Sequence, residues 1–151
     1  MMKILVCTDG SEHSQKAIRE ASVIAEGCKA NEVAIIHVHD INSTKMYPYA
    51  NLGMNPEYIE RLQKISAEEK AEWRKILSEY KKIFKDKNIK VRSMLKEGSA
   101  SDTIVKVAQK EGFDMIVVGS RGLGGLKKML LGSVSNAIIQ EVKDCSVLVV
   151  K

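Results

Sequence analysis

Cysteine, proline and aromatic residues are scarce in this chain, and long hydrophobic runs are missing. The three cysteines, Cys7, Cys28 and Cys145, are odd in number and show no C-x-x-C spacing, which excludes a disulfide framework and a zinc site. They are expected to be buried thiols. No run approaches the roughly 18 to 20 apolar residues of a membrane span, and the opening MMKILVCTDG is too short for a secretory core. A cytoplasmic protein with no membrane contact is the expectation. Aromatic residues make up only 5%, and no nucleic-acid motif occurs, so RNA or DNA binding is not expected despite a net charge of +5. The lysines gather in one central helical stretch, which reads as a solvated face.

What is present is ordinary for a globular domain. The chain has 151 residues, 44% hydrophobic and 28% charged, enough for one domain over 1–151 with one substantial core. Lys3 to Cys7 is a continuous apolar run, as a strand buried on both faces requires, and Thr8-Asp9-Gly10-Ser11 turns the chain. Ser11 or Ser14 can cap a helix through Glu26, whose Ala17, Ile18, Ala21, Ile24 and Ala25 recur at three and four. Val33 to Val38 is a second strand, and residues 40–55 lack periodicity and read as a long loop. Asn55-Pro56-Glu57 opens a long helix with an apolar stripe of Leu62, Ile65, Trp73, Ile76, Leu77, Tyr80, Ile83 and Phe84. Further strands follow at 90–95, 114–119 and 146–150. Helices lie between them, one from Ser99 or Ser101 to Gly112 and one over 132–143. Alternating strands and helices predict a doubly wound, Rossmann-like α/β domain with a five-stranded parallel sheet in the order 3-2-1-4-5 and helices on both faces.

In such a sheet the ligand crevice lies at the carboxyl ends of the first and fourth strands, which places Asp9 opposite the segment GSRGLGGLKKMLLGSVS, residues 119–135. Gly119, Gly122, Gly124, Gly125 and Gly132 offer exposed backbone amides there, and Ser133 a hydroxyl, next to a helix start. That chemistry suits a phosphate. The segment is neither a Walker A loop nor G-x-G-x-x-G, since Lys127 stands where the last glycine would fall. Arg121, Lys127 and Lys128 are further cationic candidates, while His37, His39 and His13 are expected to be structural or surface residues rather than metal ligands.

The spacing that is present is G-x-x-G, nine residues, then G-S, carried by Gly119, Gly122, Gly132 and Ser133. With V-C-T-D-G-S at the first turn, I-H-V closing the second strand, E-G-S-A before the third helix, and V-G-S-R-G and L-G-S-V-S, the chain resembles the universal stress protein family, in its ATP-binding branch, over essentially its whole length. The resemblance implies an ATP site. Gly119, Ser120, Arg121, Gly122, Gly132, Ser133, Val134 and Ser135 would cradle the phosphates. Thr8 and Asp9 would lie near ribose and triphosphate, with Asp9 a candidate ligand for Mg2+ or Mn2+, and the backbone of Val38 would read the adenine edge. It also implies a homodimer through the last strand, whose apolar edge needs a cover. Many relatives carry proline where this chain has Ser146. The function implied is a nucleotide-dependent regulatory or stress-response module. A slow ATP hydrolase or phosphotransferase is the alternative, and no catalytic base beyond Asp9 is evident.

Overall fold

The computed structural model describes residues 1–40, 56–123 and 130–151. Its elements are β1 (Lys3–Cys7), α1 (Glu12–Gly27), β2 (Glu32–His39), α2 (Pro56–Lys81), β3 (Lys90–Glu97), α3 (Ala100–Glu111), β4 (Met115–Gly119), α4 (Ser133–Glu141) and β5 (Ser146–Val150), with a single 3-10 turn at Lys82–Phe84 after α2. The five strands form one parallel sheet in the order β3-β2-β1-β4-β5, as the alternation of elements predicts.

Alternation along β1 builds a core on each face. Ile4 and Val6 meet Ala17, Ile18 and Ala21 of α1 and Leu77 of α2, while Leu5 and Cys7 meet Ile104 and Ala108 of α3 and Ile138 of α4. Ile4, Leu5 and Val6 are fully buried, each stabilising the fold by about 1.5–3 kcal/mol relative to exposure. β1 therefore lies at the centre of both layers, and its carboxyl end is fixed on three sides.

Several local expectations need correction. β2 runs on to His39 and β3 to Glu97, because the two strands stay paired through Val38↔Lys96 and His39↔Glu97 beyond the apolar runs. Ser11 rather than Ser14 caps α1, accepting from Ser14 N at 3.2 Å. The predicted stripe is buried unevenly: within α2 Leu77 is 1% exposed and Ile65 47%, and in the 3-10 turn beyond it Phe84 is 2% but Ile83 37% exposed. Lys70, read as part of the solvated face, forms an ion pair with Glu97 of β3. Of the cysteines Cys7 is buried, but Cys28 is exposed because it lies just past α1, at its C-cap, and Cys145 is half-buried. The loop over 40–55 apart from Asp40, its Asn55 cap, and Gly124, Gly125, Lys127 and Lys128 lie outside the described residues.

Candidate functional site

A cavity of about 740 Å³ opens at the carboxyl ends of β1 and β4, the size of a small-molecule site. Its floor is built by the turn after β1. Thr8 N donates to Ile36 O at 2.9 Å, which continues the strand pairing for one more residue. The Thr8 hydroxyl accepts from Gly10 N at 3.2 Å and lies 3.2 Å from Ser14 Oγ. Gly10 takes φ +82, a left-handed conformation that glycine adopts without penalty. This fixes Asp9 between two loops. Its Oδ1 accepts from Ser11 N at 2.9 Å and its Oδ2 from Leu123 N at 3.2 Å.

The opposite wall comes from the segment after β4. Ser120 N donates to Val150 O at 2.7 Å, and Ser120 O accepts from Gly132 N at 2.6 Å, so the loop is closed at its base by Ser120 backbone. Ser135 Oγ donates to Gly132 O at 3.0 Å and lies 3.3 Å from Ser120 O, so it serves the same closure. α4 begins there with Gly132 at its N-cap, and its first intrahelical bond is Asn136 N to Gly132 O at 3.0 Å. The amides of Ser133, Val134 and Ser135 thus lie in the first turn of a helix, where no intrahelical acceptor exists and partial positive charge accumulates.

Each glycine has a different neighbour. A Cβ on Gly122 would come within 2.5 Å of Asp9 Oδ2, and one on Gly119 would meet the His13 carbonyl carbon at 2.8 Å. On Gly132 it would find only ordinary contacts, the nearest being Arg121 Cα at 3.5 Å. Arg121 Nε is buried with no hydrogen-bond partner among the described residues, which for a guanidinium is costly unless an acceptor is supplied.

Ten of the eleven candidate residues line this cavity: Thr8, Asp9, Val38, Gly119, Arg121, Gly122, Gly132, Ser133, Val134 and Ser135. Ser120 does not; it is 2% exposed and acts through its backbone beneath the loop. Sequence reasoning missed Ala100 and Ile104, which line the cavity from the first turns of α3. Their spacing of four was legible only as a core stripe. His37, expected to be a structural or surface residue, is buried: its Nδ1 lies 2.9 Å from Thr8 O and its ring stacks on Trp73 with centroids 3.4 Å apart and planes 10° from parallel. Burial pushes the His37 imidazole below its ordinary pKa, against the raising effect of the Thr8 carbonyl. No group of three or more metal-ligating side chains occurs among the described residues, so a cation at Asp9 would need oxygens from its ligand.

The whole chain, residues 1–151, matches the universal stress protein family. The chain belongs to that family. Universal stress protein YxiE of Bacillus subtilis is 35% identical over 149 residues, covering 99% of this chain and 98% of its own length. Universal stress protein MJ0577 of Methanocaldococcus jannaschii is 33% identical over 154 residues. The solved structure of MJ0577 superposes with a TM-score of 0.83, covering 99% of this chain and 95% of that one. The crevice between β1 and β4 is therefore a feature of a universal stress protein fold, which carries helices on both faces of its 3-2-1-4-5 sheet. Among the described residues no helix is long and apolar enough to cross a membrane.

Proposed function

We propose that this universal stress protein binds ATP in the cavity between β1 and β4 and acts as a nucleotide-dependent regulatory module in the cytoplasm. The observation that carries the reading is the convergence on one cavity of a helix start free of intrahelical acceptors, a buried guanidinium nitrogen lacking a partner among the described residues, and Gly132, where a Cβ would make only ordinary contacts. All three suit an anion with several oxygens. Two universal stress proteins of the same fold have been solved in complex with cAMP and with dAMP; at 24% and 21% identity they share the fold with this chain.

In this reading the amides of Ser133, Val134 and Ser135, with Arg121, hold the phosphates, and Asp9 contributes a carboxylate oxygen to a divalent cation carried in with them. The apolar wall from Val38, Ala100 and Ile104 faces the base, whose edge meets the Val38 backbone. The bound nucleotide supplies the charge that links the β1 turn to the α4 start. A second copy of the chain covers the edge strand β5, where Val147, Leu148 and Val149 are only partly buried.

The test is to purify the full chain, denature it and identify any nucleotide released, then titrate the stripped protein with ATP, AMP and cAMP by calorimetry and follow ATP over hours. ATP as the tightest ligand without turnover is the expected result. Steady release of ADP would establish the hydrolase instead, and failure of all three to bind would overturn the site.

A further inference from the structure

We propose that His37 is a positioning residue of this site: its ring, clamped by Trp73, holds the Thr8–Gly10 turn so that the Asp9 carboxylate meets a nucleotide-bound cation. The inference rests on the nucleotide reading above.

The geometry starts where the sheet stops. β1 ends at Cys7, and after Thr8 N has donated to Ile36 O no further ladder bond holds the turn. The Thr8 carbonyl then points to His37, with Nδ1 at 2.9 Å. A carbonyl can only accept, so Nδ1 carries the proton and donates. The ring doing this is 8% exposed and lies face to face on the Trp73 indole, with centroids 3.4 Å apart and planes 10° from parallel. Trp73 closes one face of the ring, and the ring also lines the cavity.

Trp73 makes a second contact with the same turn. A Cβ on Gly10 would lie 3.3 Å from Trp73 Cη2 and 3.7 Å from Cζ2, so the indole edge closes over Gly10. His37 and Trp73 come from β2 and α2, and between them they bracket the turn on the carbonyl of its first residue and the backbone of its third. Asp9 is the residue in between, and it alone of the three projects a charged group into the cavity. Loss of the His37 donor would leave the Thr8 carbonyl without its side-chain partner and let the turn relax.

Such a shift acts unequally on the two ligand forms. Mg2+ demands near-ideal octahedral geometry at about 2.0–2.1 Å, so a small displacement of Asp9 is felt strongly by Mg-ATP. Metal-free ATP, held by the α4 amides and Arg121, does not use that distance. A residue that served only the core would weaken both forms alike.

The experiment titrates the full chain with ATP, with and without Mg2+, by calorimetry. His37→Phe keeps a flat ring for Trp73 and removes the donor; His37→Asn offers an amide N–H in place of Nδ1 and removes the ring. Trp73→Phe weakens the clamp without touching His37 and serves should His37→Phe not fold. Removing one buried hydrogen bond supports an expected loss of about tenfold in Mg-ATP affinity for His37→Phe, against at most about twofold for metal-free ATP. His37→Asn should recover most of that difference, and Trp73→Phe should show a smaller loss of the same Mg-selective kind. Trp73 is the one tryptophan in the chain, so its emission reads the stack directly and should shift on adding Mg-ATP to the wild type. Equal losses with and without Mg2+, or wild-type affinity in His37→Phe, would overturn the positioning role while leaving the nucleotide site standing. Absence of any nucleotide binding by the wild type would overturn both.

Discussion

Two glycine substitutions three residues apart should have opposite consequences. In Gly122→Ala the new Cβ would sit 2.5 Å from Asp9 Oδ2, almost an ångström inside ordinary contact. The obstructing atom is the end of a short side chain, so the carboxylate turns away and gives up its bond from Leu123 N at 3.2 Å. That bond is exposed, so water replaces much of it, and the loss to the fold should stay near 1 kcal/mol, below the roughly 1.5–3 kcal/mol of a hydrogen bond to a charged group. The loss to the site should be larger, because the displaced oxygen is the one proposed to meet the cation: at least about tenfold in Mg-ATP affinity, or 1.4 kcal/mol.

In Gly119→Ala the Cβ meets the backbone of α1, with His13 C at 2.8 Å and O at 3.0 Å, and a helix backbone cannot turn away. Overpacking of this kind typically costs about 1–3 kcal/mol, which for a domain of this size lowers Tm by roughly 3–10 °C. Molecules that remain folded should still bind. Thermal unfolding and calorimetry on both variants, on the same preparations, separate the two effects. The reasoning is refuted if Gly122→Ala binds Mg-ATP like the wild type, or if Gly119→Ala keeps its Tm and loses the nucleotide.

Arg121→Gln removes the guanidinium whose Nε faces no acceptor among the described residues and should weaken ATP by about 10- to 100-fold while leaving adenosine within about twofold; competition binding with the two ligands checks it. Gly132→Ala finds room for its Cβ, and alanine replaces glycine at an N-cap, so stability should change by less than about 1 kcal/mol, yet ATP affinity should fall severalfold in calorimetry. Burial lowers the His37 pKa in the folded chain, with His39 adding to the fall and Asp9 opposing it, so below pH 6.5 the unfolded chain binds the extra proton and acid destabilises the fold. Urea midpoints should be flat in this respect above pH 6.5 and drop as the pH falls toward the folded pKa, with a slope of at most about 1.4 kcal/mol per pH unit that disappears in His37→Phe. Burial also raises the Cys7 thiol pKa far beyond its ordinary value, so a thiol reagent at pH 8 should label exposed Cys28 first, Cys145 more slowly and Cys7 only on unfolding; early labelling of Cys7 would contradict its burial.

The sheet was legible because strands packed in an α/β sheet carry near-continuous apolar runs, and KILVC, VAIIHV and SVLVV hold ILVC, VAII and VLVV. Its margins were not, since β2 and β3 stay paired past the apolar stretch on His39, Lys96 and Glu97, where backbone bonds continue without any apolar signal. The same limit explains α2. Its stripe has helical spacing throughout, but the turns around Leu77 reach the core while Ile65, farther toward the amino end, remains exposed. Asp9 could be set opposite the glycine segment because strand order dictates it. The stack of His37 on Trp73 could not be read, because it joins residues from β2 and α2 that no spacing rule relates.

The glycines mark the sharper boundary between what pattern shows and what packing decides. In sequence Gly119, Gly122 and Gly132 form one motif with one rationale, close approach of backbone to phosphate. In the fold, Gly119 is required by the backbone of α1, and a side chain at Gly122 would displace the Asp9 carboxylate; both effects arise whether or not a nucleotide binds. Gly132 differs. Its φ of -72 and ψ of 166 are open to any residue, and its Cβ would meet nothing closer than 3.5 Å. No contact within the described chain demands a glycine there, which leaves the α4 start open to a group that approaches it from the cavity. That makes Gly132, rather than the more crowded pair, the residue on which the phosphate reading depends most directly, and Gly132→Ala the substitution in which binding and stability should part most cleanly.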